Sequence, residues 1–327
     1  MNRVYLIRLM LLAGIILVGC QKDINEPTDD AIQLNNNAGS SGQGPRLSYG
    51  DTLFFLKNLP GSYSVLPVSR PSSPGYFKAI PLGLALDSVT GRINVTQSET
   101  GLRYKIYYVS GTGAVMDSVR LVISGIDYKD AIYEIAATPN AYDTAFPIYN
   151  ARPEIPLPCG DDDEDDDGDL DDDDNTCVFD ETDLDADGND DIPGVIQDKL
   201  LVDIKKGTID VEASFHAGIF GSSNPANGLS KDFTFYYRLQ DASNRALNRI
   251  TVRVYHYKKR SDIPQALLDT LNLRNNISYA VNNRANSGSS DNYISQANSS
   301  EQFFEYSTRL ELATKPKRPP IIIIVSQ

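Results

Sequence analysis

The chain has 327 residues, with 30 Lys+Arg against 44 Asp+Glu and a formal net charge of -14. Residues 161–191 hold 19 of those acids and no base, which leaves 25 acids against 30 bases elsewhere, so the negative balance belongs to one segment. The net charge argues against a nucleic-acid partner, which requires a basic face, and two His with no Trp leave little material for His-based catalysis or His/Cys zinc sites.

The chain opens with Arg3 and Arg8 and then a short apolar run, Leu9 to Val18, a signal-peptide pattern. The run is too short for a spanning helix, which needs about 20 apolar residues. It ends Leu17-Val18-Gly19-Cys20, which resembles the bacterial lipobox. That resemblance implies removal of residues 1–19, lipidation of Cys20 and an outer-membrane lipoprotein. Gln21-Lys22-Asp23-Ile24-Asn25-Glu26 resembles the acidic export signals of Bacteroidota surface lipoproteins, and reads equally as a solvated tether. Residues 20–45, rich in Asn, Asp, Gly, Ser and Gln, are expected to form a flexible tether.

From Gly50 onward short apolar runs alternate with turn residues. Thr52–Leu56, Arg92–Val95, Tyr104–Val109 and Ser118–Ile123 have strand length and strand composition. Such spacing predicts a mainly β protein built as β-sandwiches. Landmarks recur along the chain. Asp51–Asn58 matches Asp143–Asn150 at an offset of 92, and Leu86–Val95 matches Val202–Val211 at 116. Each second landmark leads to a Tyr-Tyr strand, Tyr107-Tyr108 or Tyr236-Tyr237. The order predicts one duplicated module, at 46–128 and 129–260, with an acidic insert at 159–194 in a loop of the second copy. Asp87 is expected to close an Asx turn, with Gly91 at positive φ.

The run Ile80-Pro-Leu-Gly-Leu-Ala-Leu-Asp87-Ser-Val-Thr-Gly91-Arg-Ile-Asn-Val95 resembles the cadherin-like, immunoglobulin-like modules of bacterial surface proteins. The resemblance covers residues 46–126 and, less fully, 131–258. It implies a fold and an extracellular setting, and no reaction.

Within the insert, Asp163, Asp165, Asp167, Gly168 and Asp171 repeat the spacing of Asp183, Asp185, Asp187, Gly188 and Asp191. Carboxylates at loop positions 1, 3, 5 and 9 with Gly at 6 suit a hard cation with six to eight oxygen ligands, and Ca²⁺ is the predicted cofactor. As plain charge the same block is a solvated loop. Position 12, where an EF-hand carries Glu, is Asp174 in one copy and Gly194 in the other, and no helix pattern flanks either. The repeats resemble those of thrombospondin type 3, which are helix-free calcium loops. Cys159 and Cys177 bracket the first copy and are expected to form a disulfide outside the cytoplasm. Closing such a loop is worth roughly 3 kcal/mol on the chain-entropy model.

Ser261-Asp262-Ile263-Pro264 followed by Ala266, Leu267, Leu268 and Leu271 predicts a short helix within 261–280. Residues 281–327 are read as a linker and a terminal strand, with Phe303–Leu312 a strand or a short helix. Five β-branched residues, Ile321 to Val325, are expected to form a buried strand added to a sheet edge. His216 and His256 are read as structural, and none of the common hydrolase, phosphate or dinucleotide fingerprints occurs. These features predict a non-enzymatic, lipid-anchored surface protein, structural or adhesive, with a surface protein or glycan as partner. The alternative is a glycan- or ligand-binding outer-membrane lipoprotein.

Overall fold

A computed structural model describes residues 44–135, 143–159, 177–222, 224–282 and 318–326, with side chains as far as Asn275 in the last helix. These residues belong to one compact unit, and it holds two main hydrophobic cores.

The first core is built from β1 (Leu53–Phe54), β2 (Ser64–Val65), β3 (Gly75–Ile80), β4 (Ile93–Asn94), β5 (Leu102–Ser110) and β6 (Val115–Ile123). One layer is a sheet in the order β1-β6-β5-β3, and the other pairs β2 with β4. Side chains on a strand alternate between faces. Tyr104, Ile106 and Tyr108 of β5 therefore meet Phe77, Ile93 and Leu121 in one core.

The second half holds β7 (Ile126–Tyr128), β8 (Ala131–Ile135), β9 (Thr144–Ala145), β10 (Pro147–Tyr149), β11 (Val178–Glu181), β12 (Leu201–Val202) and β13 (Ile209–Asp210). After α1 (Val211–His216) come β14 (Leu229–Arg238), β15 (Asn248–Tyr257), α2 (Gln265–Asn282) and β16 (Ile321–Ser326). The main sheet runs β11-β14-β15-β16-β8, beside a sheet β12-β13-β9 and a pair β10-β7. Phe179, Phe233, Phe235, Val252 and Ile324 fill the second core. The outer face of the main sheet, through Tyr257, Ile321, Ile323 and Val325, is covered by Ile263 and Leu271 around α2.

The two halves repeat one local arrangement of contacts. Asp87 Oδ1 accepts from the N–H groups of Val89 and Thr90, and Asp203 Oδ1 from those of Lys205 and Lys206. Each turn then uses a glycine at positive φ, Gly91 (+74°) and Gly207 (+65°). Against them lie Phe77 and Phe179, whose N–H groups donate to Ser88 O and Ile204 O, both at 2.8 Å. Phe77 pairs with Tyr108 across the sheet and Phe179 with Tyr237. Tyr49 and Tyr128 each donate their hydroxyl to the carbonyl of the turn glycine.

These equivalences revise the alignment made from sequence. The offset is 79 at Tyr49 and Tyr128 and 80 at Val65 and Ala145, which hold the same place beside β4 and β13. It rises to 102 at Phe77 and Phe179, 116 at Asp87 and Asp203, and 129 at Tyr108 and Tyr237. Asp51–Asn58 and Asp143–Asn150 are therefore not equivalent: β1 runs parallel to β6, whereas β9 pairs antiparallel with β13. The extra length sits in three places, before β11, after β11 and around α1. The expected single acidic insert, 159–194, contains a strand of the main sheet, β11, followed by the loop from Thr182. Phe179, 1% exposed, fixes that strand by packing on Gly207 and Tyr237. The sequence boundary near residue 128 also shifts, since Ile126 and Tyr128 join the second core.

The terminal strand is not at an edge. β16 lies between β15 and β8, parallel to both. Ile321 to Val325 are 0–4% exposed, a burial worth on the order of 10 kcal/mol as an upper estimate from apolar area. An edge strand exposes one ladder of polar groups, and here β8 covers it. The helix is longer than expected, a 3₁₀ turn at Arg260–Asp262 leading into α2. Cys20, most of the 281–327 linker and Phe303–Leu312 lie outside the described residues.

A polar seam joins the halves. The Tyr237 hydroxyl lies 2.9 Å from Thr100 Oγ1 and accepts from Ile126 N–H at 3.1 Å. Ser124 Oγ and Tyr149 OH both donate to Asp241 Oδ2. Among the described residues no helix is long and apolar enough to cross a membrane.

Candidate metal centre

Of the two predicted repeats, the second is described. The loop from Thr182 to Asp191 leaves β11 and is tied at its neck. Asp191 N–H donates to Thr182 O at 2.9 Å, and Thr182 Oγ1 donates to Asp190 Oδ1. Inside, backbone N–H groups hold the carboxylates. Asp183 accepts from Asp187 N–H at 3.1 Å and Gly188 N–H at 2.7 Å, Asp185 from Asp187 N–H at 3.2 Å, and Asp187 from Asn189 N–H at 2.9 Å. Two residues with positive φ, Ala186 (+63°) and Gly188 (+90°), wind the chain tightly enough for this.

Asp183, Asp185 and Asp187 thereby bring one oxygen each within 4.8 Å of one another. Asp191, the expected fourth ligand, is not in that cluster; its Oδ2 accepts from Leu184 N–H at 2.8 Å, and its charge reaches Asp185. The charges answer this geometry. Hydrogen bonds from Gly188 and Asp187 hold the Asp183 carboxyl below its usual range. The Asp187 carboxylate, with burial and Asp191 behind it, pushes Asp185 upward. Converging carboxylates that repel each other, all hard oxygen donors, could hold a metal ion.

The loop is anchored by two residues that the sequence analysis did not single out. Arg238, at the end of β14, donates to Glu181 Oε2 at 2.9 Å and to the carbonyls of Asp183 and Leu184 at 3.2 and 2.9 Å. The available signal was a charge at the place where the first module has buried Val109. Asp180, at φ +54°, accepts from Val195 and Ile196 N–H groups at 2.7 and 3.1 Å. This explains Gly194 at position 12: a Cβ there would lie 2.3 Å from Asp180 Oδ2.

Asp163, Asp165, Asp167 and Asp171 lie outside the described residues. Their bracket is described: Cys159 and Cys177 form a disulfide with Cα atoms 5.1 Å apart, both buried in the second core. The histidines do separate work. His216 is exposed at the end of α1, 3.6 Å from Glu212. His256 is fully buried, with Nδ1 3.0 Å from Ala226 O and Nε2 2.8 Å from Ser326 Oγ at the end of β16.

Comparison of the sequence with protein-family models and with curated proteins returns no match.

Proposed function

We propose that the chain is a lipid-anchored surface protein in which two cadherin-like or immunoglobulin-like β modules act as a spacer and Ca²⁺ stiffens the acidic loops of the second. Cys20 carries the lipid at the outer membrane, and the role is structural or adhesive rather than enzymatic. The observation that supports this most directly is the convergence of Asp183, Asp185 and Asp187 in a loop whose backbone donors already orient them. Ca²⁺ held by these three would supply the counter-charge that the loop lacks, with Asp163, Asp165, Asp167 and Asp171 as a second set. The test is isothermal titration of the mature chain with Ca²⁺, beside the double variant Asp185→Asn/Asp187→Asn. Binding heat that the variant loses supports the reading. Equal heat in both, or no heat in either, removes it.

One observation favours a second reading, a ligand-binding lipoprotein. A cavity of about 450 Å³ lies at the seam between the two halves, lined among others by Glu99, Thr100, Tyr236, Asn248 and Arg249. A glycan array on the mature chain tests it, and an array without signal leaves the spacer reading alone.

A further inference from the structure

We propose that the β16 slot of one copy accepts the terminal strand of a second copy, so that the protein assembles by strand exchange.

The slot is a specific construction of the second module. In the first, the equivalent strands pair directly: β1 lies parallel to β6 through Leu53 and Val122 and through Phe54 and Ile123. In the second, β8 and β15 stand apart and β16 fills the space, pairing Ile321–Val325 with Arg253–Tyr257 and Ile322–Ser326 with Ala131–Ile135. The sheet thus closes only with a strand supplied from the far end of the chain. A module that leaves a gap between its own strands presents two rows of unpaired backbone groups and an apolar trough, which take any strand of matching pattern.

The contacts of the strand can all be made in trans. Arg318 N–H donates to Glu99 Oε1 at 2.6 Å and the Arg318 guanidinium to Asp127 Oδ2 at 3.1 Å. Ile321 N–H donates to Asp130 Oδ1 at 2.7 Å, and Arg274 donates to Pro319 O at 2.7 Å. His256 closes the far end on Ser326. Every partner belongs to residues 99–275, and none lies next to the strand in sequence. Thirty-five residues, 283–317, connect α2 to Arg318. Fully extended they span at most roughly 120 Å, several times the length of the strand. Chain connectivity does not dictate which copy supplies it. The intramolecular strand wins at low concentration through its effective concentration, and exchange takes over where copies are crowded.

The test uses the register. Glu134 faces Val325 across the β8–β16 pair. One full mature chain carries Glu134→Cys, a second, differently tagged, carries Val325→Cys, and both carry Cys20→Ser. A chain with both cysteines is the control for geometry. A third donor, Ile322→Cys, offers its cysteine on the opposite face of β16 and controls for random encounter. After refolding the two single variants together, a disulfide joining the two tags is expected. Its yield should rise at least about tenfold as protein concentration is raised a hundredfold, with little product from Ile322→Cys. The proposal fails if the double variant closes within one chain while the mixture yields no joined product. It fails equally if Ile322→Cys crosslinks as well as Val325→Cys, or if the double variant does not close, since the register is then wrong.

Discussion

Gly91 and Gly207 sit at the same point of the two modules, where a Cβ would come within 2.6 Å of the Phe77 ring and 2.5 Å of the Phe179 ring. Positive φ and ring contact act together at these two places. Gly207→Ala is expected to cost about 2–4 kcal/mol, from the left-handed backbone and the displaced ring. Gly113→Ala, at φ +88° with open space around it, should cost about 1–2 kcal/mol from the backbone alone. Urea unfolding of the two variants measures the difference, and equal losses would remove the packing half of the explanation. Glu99 makes a second prediction. Burial, with Asp127 nearby, pushes its carboxyl up to about 7 against the pull of the Arg318 N–H and of Arg318 and Arg274. The folded value exceeds the unfolded one of 4.5, so the folded state holds the proton more tightly. The Glu99 contribution is full below about pH 4.5 and is lost as pH rises through about 7. Melting temperatures should therefore decline across that window in the wild type and less steeply in Glu99→Gln. Parallel slopes would assign the decline to other groups, with Asp127 and Asp130, both raised by burial, first among them.

At the scale of elements, β11 and the loop after it depend on one guanidinium. Arg238 and Glu181 are both largely buried, 2.9 Å apart, and Arg238 also carries two loop carbonyls. Removing one partner of a buried pair strands the other charge and costs about 3–5 kcal/mol. Arg238→Ala is expected to lose that stability and to open residues 182–191 to protease, and added Ca²⁺ should restore only the loop. Unchanged digestion would show that the acidic residues and their backbone donors hold the loop unaided. The same elements show what the sequence made legible. The Asx turn at Asp87, the long strands β5 and β6, and the convergence of Asp183, Asp185 and Asp187 follow from local spacing, because each is set by residues a few positions apart. Two-residue strands such as β2 and β9 carry no periodicity. β11 was hidden because Val178-Phe179 lies between acidic blocks that dominate composition. The interior place of β16 was hidden because hydrophobicity records burial without recording neighbours. Asp191 shows what spacing leaves unspecified even within a motif: that its Oδ2 also ties the loop through Leu184 N–H is set by the fold of the loop.

For the molecule as a whole, two main cores share one compact unit, and the terminal strand belongs to only one of them. The first core draws its residues from 47–123, and the second from 126–254 together with Ile322 and Ile324. Polar contacts cross between them, Tyr237 with Thr100, Asp241 with Ser124 and Arg318 with Glu99, and α2 also lies against β5. Hydrogen bonds of this kind contribute about 0.5–1.5 kcal/mol each, more where a charge takes part. That is small beside the stability of a domain, about 5–15 kcal/mol. The halves should consequently be separable in stability despite their contact. Ile323→Asp places a carboxylate at a position with 0% exposure, in the cluster that holds Tyr257 and Leu271, and the described buried residues of that cluster are all uncharged. An uncompensated buried charge costs several kcal/mol, and the strand that would carry it is held only by docking. Native-state hydrogen exchange on this variant should show β14, β15 and β8 losing protection while β5 and β6 keep theirs. If all five strands lose protection together, the polar seam transmits unfolding and the two cores act as one cooperative unit. If none does, β16 contributes far less than its burial implies, because β8 and β15 then close the sheet without it.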